Sequence, residues 1–101
     1  MQIDRRKIES ELPKKGFVRK DDSHHRYFHH EYKGKPTGAY ACTSHGGSAK
    51  YKAYSEPFFK MMKKHLFLDR VKEVEDLFLC PIDGDDYNQI LREKGLIKEQ
   101  S

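Results

Sequence analysis

"GFVRKDDSHHRYFHHEYKGKPTGAYACTS", residues 16–44, decides the fold. Three segments in it are aromatic or otherwise suited to a pleated surface: "GFVRK" (16–20), "HHRYFHHEY" (24–32) and "TGAYACTS" (37–44). "KGKP" (33–36) between the last two has the composition of a turn. Three consecutive strands are expected.

The flanks are helical. Asp4 is a suitable N-cap for a first helix whose apolar stripe is Ile3, Ile8 and Leu12. Pro13 is expected to end or kink that helix at Leu12. "HGGSAKYKAYS" (45–55) has the composition of a loop. "EPFFKMMKKHLFL" then starts near Ser55 with Pro57 in its first turn, and Phe58, Met61, Met62 and Leu66 make its expected buried face. "DRVKEVEDLFL" aligns Val71, Val74 and Leu77 before Pro81 breaks it. "DGDDYNQILREKGLI" has Asp83 as cap, the stripe Tyr87, Ile90 and Leu91, and Gly95 as stop. The order α-β-β-β-α plus a helical extension predicts an α+β fold: a three-stranded antiparallel sheet with helices on one face. That is the layout of double-stranded-RNA-binding domains. Residues 1–80 are expected to form the domain and residues 81–101 an extension packed on it. Phe17, Ile8, Leu12, Phe58, Met62 and Leu66 should share one core, joined by either Tyr27 or Phe28 from the second strand.

At 101 residues the chain supports one domain with a small core. Apolar and charged residues each make up 36%, so the surface must be densely charged, yet six Tyr and six Phe argue against disorder. No apolar run approaches the roughly 18 residues of a membrane span, and "MQIDRRKIESEL" contains no apolar signal region. With only Cys42 and Cys80, a disulfide scaffold is not expected; two thiols in a reducing cytoplasm are. Charge is uneven. Residues 1–68 hold 15 Lys/Arg against 7 Asp/Glu, a balance of +8, whereas residues 69–101 hold 5 against 9, a balance of −4. A basic body with an acidic end suits contact between the body and a polyanion.

Residues 24–30 contain four of the six histidines. On a strand, His25 and His29 share a face roughly 13 Å apart, and His24 and His30 share the other roughly 20 Å apart. Zinc needs its nitrogens about 2 Å from one centre, so one straight strand does not easily gather these side chains around an ion; a site would need His45 or a cysteine of the next strand to complete it. No metal and no cofactor are expected. Packed or rim positions suit His29, His30 and His65.

"KKGFVRKDDSHHRYFHH", "TGAYACTSHGG" and "PFFKMMKKHLFLDRVKEVEDL" together resemble the HicA family of RNA-cleaving toxins from toxin–antitoxin systems. The resemblance spans about residues 3–80 and rests on the order of its short motifs. It implies metal-independent cleavage of mRNA and neutralisation by a HicB-like antitoxin. Carried over, Ser23 and His24 of "DSHH" match the family's Ser-His pair, His25 is the alternative by a one-residue shift, and His45 of "SHGG" matches the histidine after the third strand. Asp22 stands where the family usually has glycine, and the tail beyond Cys80 is longer than in compact members.

The implied chemistry suits these side chains. Attack by the RNA 2′-OH on the adjacent phosphate needs a base, and departure of the 5′-oxygen needs an acid; imidazole serves either role near neutral pH. The resemblance gives His24, His25 and His45 the catalytic roles. Ser23, Arg26, Lys50 and Lys52 would hold the RNA. Such an endoribonuclease would spare DNA. The alternative is a non-catalytic RNA-binding module of the same fold.

Overall fold

The computed structural model describes residues 2–22, 25–44, 53–79 and 81–97. Asp4 starts the first helix as expected: its carboxylate accepts the Arg6 backbone N–H at 2.7 Å, and α1 runs over Arg5–Lys14. Ile8 and Leu12 are fully buried along one side. Pro13 neither stops the helix at Leu12 nor precedes its end by much; it occupies the last turn. So close to the C-terminus a proline forfeits little of the helical ladder, and the Lys15 N–H closes the end by donating to the Leu12 carbonyl at 2.9 Å. Just before α1, β1 (Ile3–Asp4) pairs antiparallel with β5 (Ala53–Tyr54). The expected loop over 45–55 therefore contains a short strand at 53–54; residues 45–52 lie outside the described residues.

The three expected strands are present as β2 (Phe17–Asp21), β3 (His25–Tyr32) and β4 (Lys35–Ser44), antiparallel in the order β2-β3-β4. The β3–β4 turn is tighter than "KGKP". Lys33 (φ 51°) and Gly34 (φ 80°) both adopt positive φ, the signature of a two-residue type I′ hairpin, so Lys35 and Pro36 already belong to β4. Register then sets the faces. Arg19, Phe28 and Ala41 form one rung across the sheet, and Val18, His29 and Tyr40 form another on the opposite parity. Phe17, Phe28, Ala39 and Ala41 are buried, so their parity faces the helices and Phe28, not Tyr27, enters the core.

Three further helices follow: α2 (Glu56–His65), α3 (Val71–Phe78) and α4 (Gly84–Glu93). The buried face of α2 is rotated from the expected one. Phe59, Met62 and Leu66 are fully buried, Phe58 only borders the core, and Met61 is 50% exposed. Phe58 stacks on Tyr54 of β5 at 4.0 Å, so the unforeseen β1–β5 ribbon provides its contact. Val74, Leu77 and Phe78 of α3 and Tyr87 and Leu91 of α4 complete the core, whereas Val71 and Ile90 only border it.

Two polar devices join these layers. Tyr87 donates its hydroxyl to the Leu66 carbonyl at 2.7 Å, stacks on Phe17 and meets the edge of His30. Lys15, 5% exposed, donates its ammonium to the Leu77 and Leu79 carbonyls at the end of α3. A cation there satisfies carbonyls that the ended helix leaves unpaired. Residues 81–97 supply Tyr87, Leu91 and Ile97 to the same core as residues 3–79. No described helix is long and apolar enough to cross a membrane.

Candidate functional site

The sheet has two unlike faces. One is sealed by the helices; the other presents Val18 and Lys20 from β2, His25, Tyr27 and His29 from β3, and Tyr40 and Cys42 from β4. These side chains are exposed or half-buried. Alternation along β3 is the cause, since His25, Tyr27 and His29 carry their rings to the same side.

The rings form a continuous strip. Centroid separations are 5.9 Å for His25–Tyr27, 5.9 Å for Tyr27–His29 and 5.8 Å for His29–Tyr40. At the β4 edge the end of α2 extends the strip, because His65 stacks on Tyr40 at 4.6 Å. Exposed Phe67 sits beside it near Gly38; a Cβ on that glycine would come 3.9 Å from the Phe67 ring. Met61 precedes His65 by one helical turn and so lies on the same side of α2.

Two groups on this surface are held in their protonated, uncharged forms. Burial pushes the Tyr27 phenol up from its ordinary value, and the nearby Asp22 carboxylate adds to the effect. The Cys42 thiol rises for the same two reasons, which disfavours a thiolate there. Asp22 also closes the β2–β3 connection. Its carboxylate accepts the His25 backbone N–H at 2.6 Å, and its own N–H donates to the His25 carbonyl at 2.9 Å. The residue that departs from the HicA pattern is thus bonded to the backbone at the start of β3.

His25 and Arg26, neighbours in the chain, are separated by the sheet. Arg26 points to the helix side, where its guanidinium donates to Glu9 at 2.8 Å and Thr43 donates to the other Glu9 oxygen at 2.7 Å. The Glu9 carboxylate already neutralises the cation that the HicA resemblance would direct at a phosphate. Ser23, His24, His45, Lys50 and Lys52 lie outside the described residues. The ladder pairs His25 with Ser44, so His24 and His45 are the chain neighbours of one rung.

His30 is a core residue. It is fully buried, with Nε2–H donating to Asn88 Oδ1 at 3.1 Å and Nδ1 accepting from the Thr37 hydroxyl at 3.0 Å. Burial outweighs the Asn88 bond and depresses its pKa to about 4, so it is neutral near pH 7. His29 and His65, expected to be packed or rim residues, are half-buried and stack on Tyr27 and Tyr40 in the ring strip. The alternation His25, Tyr27, His29 was the signal for the β3 part. Nothing in the sequence placed His65 against Tyr40. Among the described residues, no three His, Cys, Asp or Glu side chains converge as metal ligands.

Compared with protein-family models, curated proteins and solved structures, the chain matches none, so the HicA resemblance rests on the quoted motifs alone.

Proposed function

We propose that the protein binds RNA through the open face of its sheet. The observation that carries this is the strip of five rings, His25, Tyr27, His29, Tyr40 and His65, on the face opposite the core. Such rings offer nucleobases a stacking surface, and the excess of cations in residues 1–68 attracts a phosphate backbone. The α-β-β-β-α order fits a domain of the double-stranded-RNA-binding type.

HicA-like endoribonuclease activity is the second reading, favoured by the rung at which His25 faces Ser44. His24 and His45, the other histidines of the motifs, adjoin that rung in sequence. His25 and His29 cannot themselves act as an acid–base pair on one phosphate, because the Tyr27 ring lies between them at 5.9 Å from each. The resemblance gives His24 one role and leaves its complement to His25 or His45. A HicB-like antitoxin would inhibit by covering this face, and an acidic one would be steered to it.

The test is a gel assay with end-labelled RNA and DNA strands of one sequence, with and without EDTA, read beside binding by anisotropy. RNA should bind. Under the toxin reading it is also cut, DNA is spared, EDTA has no effect, and His24→Ala, which leaves the ring strip intact, slows cleavage by about 10²–10⁴-fold with little change in binding. Binding without cleavage leaves the module reading. Absence of RNA binding ends both.

A further inference from the structure

We propose that the open face takes an unpaired RNA strand, with neighbouring bases packed on Tyr27 and Tyr40 and the backbone flanked by Lys20 and Lys64. This rests on the RNA-binding function above and specifies its substrate class.

Ring spacing is the first ground. Tyr27 and Tyr40 are 6.4 Å apart, centroid to centroid, and inclined at 51°. Successive nucleotides of a duplex strand advance by only about 3.4 Å. Bases seated on these two rings therefore belong to a strand drawn out of helical stacking. His65 covers one side of Tyr40 at 4.6 Å, but Tyr27, His29 and Tyr40 are only half-buried and so keep part of their surface open to a ligand. A duplex buries its base faces in its own stack and is recognised through 2′-OH groups and phosphates. A strip of rings has little to offer it.

The placement of charge is the second ground. Lys20 shares a rung with Tyr27 on the β2 side, and it is exposed with no carboxylate partner among the described residues. Lys64 precedes His65 in α2 and is exposed, again with no ion pair among the described residues. Arg19 and Arg26, by contrast, are tied to Asp21 and Glu9. Lys20 thus borders the ring surface and Lys64 adjoins His65 in the chain, a distribution that accommodates a backbone along the edges and bases across the middle.

The experiment is fluorescence anisotropy with a labelled 12-nucleotide RNA at about 50 mM salt, titrated as a single strand and again annealed to its complement. The single strand should bind at least tenfold more tightly. Tyr27→Ala and Tyr40→Ala should each weaken it by about 5- to 100-fold, while Tyr27→Phe and Tyr40→Phe, which keep the ring, stay within about threefold of wild type. Thermal unfolding of every variant establishes that it is folded, and the phenylalanine variants decide the matter should an alanine variant unfold. Duplex bound as tightly as single strand, or alanine variants that bind like wild type, would overturn the proposal while leaving RNA binding in place. Binding of neither form removes the proposal and the function beneath it together.

Discussion

His25 and His30 lie on one strand, and opposite parity gives them opposite chemistry. His30 is sealed among Phe17, Tyr87, Thr37 and Asn88, while His25 is open to solvent. Because burial depresses the His30 pKa to about 4, the unfolded chain takes up a proton before the folded one does as pH falls. The stability this residue contributes is complete above about pH 6.5, the ordinary imidazole value, and is lost as pH falls towards 4. A shift from 6.5 to about 4 corresponds to at most about 3 kcal/mol. Urea unfolding at pH 7 and pH 4.5 should show wild type losing stability by more than His30→Leu does over the same interval. An equal loss in both proteins would mean that His30 is not held neutral. The sequence showed a histidine cluster and its alternation. It could not show which parity was dry, because that depends on Phe28, Ala39 and Ala41 meeting helices remote in the chain.

Elements were legible wherever a local signal sets their limits. Asp4 and Asp83 cap α1 and α4 as their side chains predict, and the three central strands appear in order. The β1–β5 ribbon was not legible: two residues on each side leave no periodicity, and the pairing is made between Ile3–Asp4 and Ala53–Tyr54, about half the chain apart. The phase of α2 failed for a related reason, since four apolar residues within five positions, Phe58, Phe59, Met61 and Met62, fit more than one face. Helix α4 reads in sequence as an extension, but it fills the core through Tyr87 and Leu91, both wholly buried. Each such side chain stabilises a fold by about 1.5–3 kcal/mol, against a total of about 5–15 kcal/mol for a small domain. A chain ending at residue 80 should therefore lack a cooperative thermal transition, and Tyr87→Ala in the full chain should cost about 3–5 kcal/mol. A folded 1–80 fragment would show that α4 is dispensable. Circular dichroism during heating distinguishes the two outcomes.

At the scale of the whole molecule, the balance of +8 over residues 1–68 overstates the charge available to a polyanion. Arg5 and Arg26 face Glu9, Lys7 and Lys14 face Glu11, Arg19 faces Asp21, and Lys60 faces Glu56. Lys15 is spent inside, on the carbonyls at the end of α3. Exposed cations with no ion pair among the described residues include Lys20, Lys35 and Lys64. Single-stranded binding loses affinity with salt at a logarithmic slope of about −0.7 per phosphate neutralised. Eight engaged cations would give a slope near −6, whereas the two that flank the ring strip, with one or two more from its surroundings, give about −1.5 to −3. The shallow slope is the expected result, with the remaining affinity coming from base stacking, which salt screens little. Lys20→Ala should flatten the slope by roughly 0.7 while leaving the loss caused by Tyr27→Ala unchanged, because phosphate and base contacts are made by different atoms. Anisotropy titrations between about 50 and 300 mM salt measure both quantities. A slope near −6 would place RNA on a broader basic surface that breaks the internal ion pairs, and the ring strip would lose its claim to be the main contact.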